Sequence, residues 1–493
     1  MLTLAIFAPL LAAAILALRH EIRPRTARSV AAVVAALPLV LLFLTWLRFE
    51  PGQGFQLIES FAWIPTLGVG YKVGVDGISL GIAAMTAVLF LASIVYPTDL
   101  KGQASAYYAL FLFLESVCLG VFLALDLFLF YVFWDLSLVG MYFLIGVWGH
   151  GEKARRSALK FFLYTLAGSL TMLLAILGLY LATEPRTFDM AEIIRQAPLA
   201  GAGWRATLVF IGFAVGFAIK TPIVPFHTWL PPAHVDAPAP ASAILAGVLL
   251  KMGTYGFVRI LLSMMPGTFR RYALILVVLA VVSIIYGALV ALAQSDLKRR
   301  IAYTSVNHMG YTILGIGAAG GLLVGEEAAR TLALTGATVE MIAHGLITGA
   351  LFLITGSVWQ RAETYELSRF GGLARRAPAL TGVTVLAAFA SLGLPGLAGF
   401  VAEFQIFVGT FGVYPAAAAV GLLGIIITAA LFLLVLQQMF LGELPERWRD
   451  WTDLSRVEIA ALATLLFFVV LIGVAPAWLL KVIDPGAAAL VAP

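Results

Sequence analysis

The chain has 493 residues, 62% of them hydrophobic and only 12% charged. Soluble domains carry roughly 25% charged residues and about half apolar ones, so this composition excludes a string of soluble domains. The formal net charge of +5 is loop arginine, which sets membrane topology and gives no sign of nucleic acid. The single cysteine, Cys118, excludes intrachain disulfides, CxxC zinc sites and cysteine-ligated iron–sulfur clusters.

Apolar runs long enough to cross a bilayer recur from end to end. They predict an all-α polytopic membrane protein with about 14 transmembrane helices. The spans lie near 2–18, 28–47, 77–96, 106–125, 127–148, 157–182, 205–230, 239–262, 272–294, 301–320, 329–359, 379–413, 416–441 and 456–480. The first, Met1 to Leu18, has no basic stretch before it and reads as a retained helix, not a cleaved signal. Two spans are too long for one straight helix. Pro222 and Pro225 interrupt 205–230, and Gly393-Leu-Pro-Gly396 interrupts 379–413.

Lys and Arg set the orientation. Nineteen fall in loops after odd-numbered spans, ten after even-numbered spans or at the C-terminus, and Lys220 and Lys251 lie inside spans. Basic residues collect on the cytoplasmic side, so the Arg19–Arg28, Lys153–Lys160, Lys298–Arg300 and Arg361–Arg376 loops face inward and both termini outward. Spans 4–8 and 9–13 each form a five-helix unit whose fourth member is broken. Five is odd, so consecutive copies lie upside down relative to each other, as in secondary transporters and their relatives. The expected division is 1–105 for helices 1–3, 106–262 for the first repeat, 263–441 for the inverted second repeat, and 442–493 for the C-terminal loop and helix 14.

Ionisable groups within these spans are Glu115, Asp126, Asp135, Lys220, His227, Lys251, His308, Glu340, His344 and Glu403. A central Asp or Lys facing lipid costs about 2.5 to 3.5 kcal/mol, so these groups face the bundle interior and mark an ion or proton pathway. Lys220 lies about 15 residues, roughly 22 Å of helix, in from Arg205. It does not snorkel easily to that surface, and the prolines after it free backbone carbonyls one turn back. Burial disfavours a lysine's charge and a nearby carboxylate restores it, so making or breaking one ion pair loads or unloads a proton. Asp135, mid-span in FLFYVFWDLSLVG, is the expected partner.

Lys251 sits near the centre of span 8. Glu403, in GLPGLAGFVAEF, is the matching group beyond the second break. His308 and His344 can relay protons because the unperturbed histidine pKa lies near 6.5. Glu115 reads as a modulator of Lys220 and Asp126 as a turn residue, while Glu340 and His227 receive no role. Gly315-Ile-Gly-Ala-Ala-Gly320 fits GxGxxG and Gly77-Ile-Ser-Leu-Gly81 fits GxSxG, but neither follows a strand, so both are chance matches. With no P-loop, CxxCH or zinc pattern, the chain is expected to hold no redox site and to hydrolyse no nucleotide.

At KTPIVPFHTWLPPAHVDAPAPASAILAGVLLKMGTYG, QSDLKRRIAYTSVNHMGY, MIAHGLITGALFLITG and GLPGLAGFVAEFQIF, the sequence resembles the antiporter-like subunits of respiratory complex I (proton-pumping NADH–quinone oxidoreductase). The same superfamily includes Mrp-type sodium/proton antiporters and membrane-bound hydrogenases. The resemblance is close over spans 4–13 and looser outside them. The acid Glu403, where L- and N-type subunits carry lysine, points to the M-type branch, the counterpart of mitochondrial chain 4, and no long lateral helix suggests the L-type.

The resemblance implies a proton relay at Glu115, Asp135, Lys220, Lys251, His308, His344 and Glu403. It also implies NADH, FMN, iron–sulfur clusters and ubiquinone or menaquinone on other subunits, with no cofactor or metal in this chain. L-type and N-type subunits are the implied neighbours, in a prokaryotic inner membrane. The alternative is an Mrp-type antiporter subunit. One departure stands out: the family's acid on span 5 is usually Glu and here is Asp135, one methylene shorter.

Overall fold

A computed structural model describes residues 1–19, 22–100, 102–201, 203–321 and 326–491. Residues 20 and 21 of the expected inward loop at Arg19–Arg28, and the last two residues of the expected unit 442–493, lie outside the described residues.

The chain opens with α1 (Leu2–Leu18) and α2 (Pro24–Arg48), then an antiparallel hairpin of β1 (Gln56–Ile64) and β2 (Val69–Val75). Next come α3 (Gly77–Val95), α4 (Ala104–Leu123), α5 (Leu127–Trp148), α6 (Ala154–Tyr180) and the short α7 (Met190–Gln196). The first broken element is α8 (Trp204–Lys220) followed by α9 (Leu230–Asp236). One continuous span, Ala239–Leu262, then contains α10 (Ala239–Ile244), a π turn at Leu245–Leu249, α11 (Leu250–Gly256) and a second π turn at Phe257–Leu262. The chain goes on through α12 (Pro266–Leu292), α13 (Leu297–Ala319) and α14 (Glu327–Ala362). The second break separates α15 (Pro378–Ser391) from α16 (Ala398–Val413), before α17 (Pro415–Phe440), α18 (Arg456–Val474) and α19 (Ala477–Val491).

Among the described residues, ten helices are long and apolar enough to cross a membrane. The fold is that of a helical membrane protein, to which the sequence reading had not added the hairpin. The expected span 456–480 also ends early. The chain breaks after Val474 and restarts as α19, whose buried positions Leu479, Val482, Ile483, Ala487 and Val491 repeat at helical spacing along one face.

Side chains fix the helix starts. Asp76 accepts the Ile78 and Ser79 N–H groups at 3.1 and 2.8 Å and forms a capping box with Ser79. Asp126 does the same work for α5, accepting Phe128 N–H at 2.9 Å and Leu129 N–H at 3.0 Å. This is the turn role expected for it. Glu59 of the hairpin accepts from Leu2 N–H (3.0 Å) and Thr3 N–H (2.9 Å), capping α1 from outside its own sequence.

Burial shows which helices form the centre. The apolar windows of Ala239–Leu262 and α14 are 100% buried, those of α2 and α17 only 28% and 33%. The two central helices carry Lys251, Glu340 and His344. The outer helices carry none of the relay candidates.

Candidate proton-relay site

Lys220 is the last residue of α8. Pro222 and Pro225 offer no N–H to continue the helix, and the chain stays irregular until α9. The Lys220 side chain is buried. Its Nζ donates to Ser137 Oγ at 3.1 Å and lies 5.2 Å from the Trp134 ring centroid. Close packing here depends on Gly253. A Cβ at that position would stand 2.3 Å from Thr221 Oγ1 and 2.7 Å from the Phe217 carbonyl, so glycine lets α11 press against the end of α8.

The expected Asp135–Lys220 ion pair does not form. Asp135 accepts a hydrogen bond from Ser169 of α6, and among the described residues Lys220 has no carboxylate within ion-pair distance. Helix geometry gives the reason. Two residues advance a helix by about 200°, so with Ser137 facing Lys220, Asp135 points to the opposite flank of α5. Glu115 is fully buried and neither carboxylate oxygen has a hydrogen-bond partner. Its expected modulation of Lys220 has no direct contact behind it.

The second region is continuous. Lys251, between the two π turns, donates from Nζ to the Ala246 carbonyl at 2.7 Å and stands 2.5 Å from His344 Nδ1. π turns widen a helix and recur at functional sites. His344 and His308 have ring centroids 5.4 Å apart. His308 Nδ1 lies 3.3 Å from Glu340 Oε1 and 3.7 Å from Glu403 Oε1, and its Nε2 lies 3.2 Å from Ser391 Oγ.

Four helices supply these groups. His308 comes from α13. Glu340 and His344 come from one face of α14, at i and i+4. Ser391 ends α15, and Glu403 lies in α16. The break between the last two accommodates the acid: Gly393 has φ +76°, and a Cβ there would sit 2.5 Å from Glu403 Oε2. The imidazoles and carboxylates line one narrow gap together with Ile347, Ser391 and Gly399.

The Lys251 contact selects one histidine tautomer. An imidazole that accepts from Lys251 at Nδ1 carries its hydrogen on Nε2. His344 Nε2 is buried and has no hydrogen-bond partner among the described residues, and the His308 ring is its neighbour. Both carboxylates thus stand beside the same imidazole nitrogen, His308 Nδ1.

Of the expected site residues, the structure brings Lys251, His344, His308 and Glu403 into one chain, and leaves Lys220, Asp135 and Glu115 as separate groups around α4, α5 and α8. It adds Glu340, which the sequence reading left without a role. His234 of α9 was overlooked altogether. It is fully buried, both ring nitrogens lack partners, and it stacks on Phe352 at 4.4 Å and 9°. It lies within electrostatic range of Lys251 and of Lys298, whose ammonium donates to the Ala237 carbonyl. The signal was present in PPAHVDAP, a histidine just past the break with no surface to reach. His227 packs against Tyr286 with ring centroids 5.2 Å apart, away from this cluster.

Comparison with known proteins identifies the family and the fold. Residues 124–428 match the family described as NADH:quinone oxidoreductase/Mrp antiporter, transmembrane. The NADH-quinone oxidoreductase subunit M of Rickettsia prowazekii is 36% identical over 491 residues, 98% of this chain and 96% of that one. A chain of respiratory complex I from Thermus thermophilus with bound NADH superposes with a TM-score of 0.90 at 31% identity, covering 100% of this chain and 99% of that chain. A chain of the Mrp complex from Dietzia sp. superposes with a TM-score of 0.85 at 25% identity, and this chain covers 52% of it. The protein belongs to the transmembrane NADH:quinone oxidoreductase/Mrp antiporter family.

Proposed function

We propose that this chain is the M-type proton-translocating subunit of an NADH–quinone oxidoreductase, driven by quinone reduction on other subunits. The observation that carries the reading is the close series from Lys251 to His344, then, with ring centroids 5.4 Å apart, to His308 and on to Glu340 and Glu403. Protons enter near Lys220, reach Lys251, and leave by Glu403, with His234 offering Lys251 a second neighbour on the side of Lys298. Buried ionisable groups in a membrane bundle are costly and mark such pathways. Asp135 and Glu115 act on Lys220 through the field and not by contact.

The chain is read as about 14 spans, in two inverted five-helix repeats over 106–262 and 263–441, between an N-terminal unit 1–105 and a C-terminal unit 442–493. Both termini face outward across a prokaryotic inner membrane. L-type and N-type subunits are its neighbours in the membrane arm. NADH, FMN, iron–sulfur clusters and quinone belong to other subunits.

The likeness to a chain of the Mrp complex favours a second reading, sodium/proton exchange with no redox partner. Coverage weighs against it, because this chain spans only about half of that Mrp chain but nearly all of its oxidoreductase relatives. Vesicles holding the purified assembly separate the two. The oxidoreductase reading predicts acidification driven by NADH, lost in Lys220→Ala and Glu403→Ala assemblies. Proton flux driven by a sodium gradient without NADH favours the antiporter.

A further inference from the structure

Away from the relay, α2, α3, α14, α18 and α19 enclose a cavity of about 300 Å³, within the range of small-molecule sites. Its wall is apolar throughout, from Leu42 and Phe43 of α2 through Ala84 and Met85 of α3 to Phe468 of α18. It lies at the end of the bundle that carries the β hairpin, under the α19 roof, and opens sideways past Phe43, which is 59% exposed.

Three features of the mouth indicate what fills it. Trp46 and Trp478 face each other there with ring centroids 5.3 Å apart, and tryptophan is the residue that settles at headgroup level. The Trp478 Nε1–H is buried and has no acceptor among the described residues, although an indole N–H in such a place ordinarily finds one. Lys481, one helical turn beyond Trp478, is an exposed cation near the rim. The nearby acid Asp484 accepts from Thr335 at 2.9 Å.

We infer that this slot holds one acyl chain of an anionic phospholipid from the hairpin-side leaflet. The chain fills the apolar space, since an empty cavity forfeits dispersion contacts. An ester or phosphate oxygen accepts from Trp478 Nε1, and the headgroup lies toward Lys481. The deep wall is Ile342 and Leu346, which flank His344 on α14, so the bound chain braces the helix that carries Glu340 and His344. The inference rests on the membrane-spanning reading and not on proton transport.

The test uses the assembled complex in vesicles of phosphatidylethanolamine and phosphatidylglycerol that contain phosphatidylglycerol with a photoreactive group in mid-chain. Labelling is expected to concentrate on segments 39–46 and 468–479, to be competed by unlabelled phosphatidylglycerol, and to fall about tenfold in Ala84→Phe, which fills the slot. Lys481→Glu lowers it about threefold by repelling the headgroup. Should Ala84→Phe fail to assemble, competition in the unaltered complex gives the answer alone. Labelling unchanged by Ala84→Phe, displacement by a long-chain quinone but not by phospholipid, or shielding of the slot by a partner's helix overturns the inference. Because labelling is read apart from pumping, failure here leaves the relay untouched.

Discussion

The surroundings of the two central lysines differ in kind. Lys220 ends a helix at a proline break, has a serine hydroxyl and an indole face for company, and meets no carboxylate. Lys251 sits mid-span between two π turns and touches an imidazole that leads through a second imidazole to two carboxylates. A lysine of the first kind holds or releases its proton in response to distant charge. One of the second kind hands its proton to a neighbour. The proposed relay thus separates a sensing lysine from a conducting one, and the tight Gly253–Thr221 approach brings their helices together.

The conducting half should fail most completely when cut. Glu403→Gln or Glu340→Gln alone should lower NADH-driven proton pumping about tenfold or more, and the double variant should be little worse than either single one. Groups that act as a unit are not additive, and both acids share His308. Additive losses in a double-mutant cycle would show two separate exits. His344→Gln should follow closely, with a loss of several-fold, because glutamine occupies similar space but passes no proton as imidazole does.

Smaller effects sharpen the sensing half. Ser137→Ala removes the hydrogen bond from Lys220 Nζ and should slow pumping about two- to threefold, the low end of the ~0.5–1.5 kcal/mol of one hydrogen bond. Asp135→Glu restores the residue usual in the family. Its longer side chain still points toward α6, so pumping should change less than twofold; a large gain would show that the pair forms during turnover. Glu115→Gln replaces a buried carboxyl group whose oxygens have no partner. Removing the burial cost of that charge should raise the complex's resistance to heat, measured as the temperature at which the assembly dissociates.

How much of this was legible beforehand depends on the range of the interaction. Lys220, Lys251 and Glu403 stood out because each breaks an apolar run, and the breaks at Pro222–Pro225 and Gly393–Gly396 follow from local backbone rules. Glu340 was visible but without meaning. Its partner His308 belongs to another helix, and no periodicity in one helix tells which face of the next it meets. His234 was lost inside a stretch read for its prolines. The Asp135–Lys220 pairing went wrong because charge logic proposes partners but helix phase selects them, and Ser137 holds the phase that Asp135 lacks. The hairpin at 56–75 escaped notice because its short strands, QLIESFAWI and VGYKVGV, fall between long apolar helices that dominate the reading.

The central claim is that Lys251 conducts through His344 and His308 to the paired acids. The most direct measurement is simultaneous quinone reduction and vesicle acidification by an assembled complex carrying Lys251→Met, which keeps the side chain's length and removes its proton. The account predicts that acidification disappears while measurable NADH–quinone electron transfer remains once the membrane is uncoupled. Full acidification per electron pair in the Lys251→Met complex would contradict it.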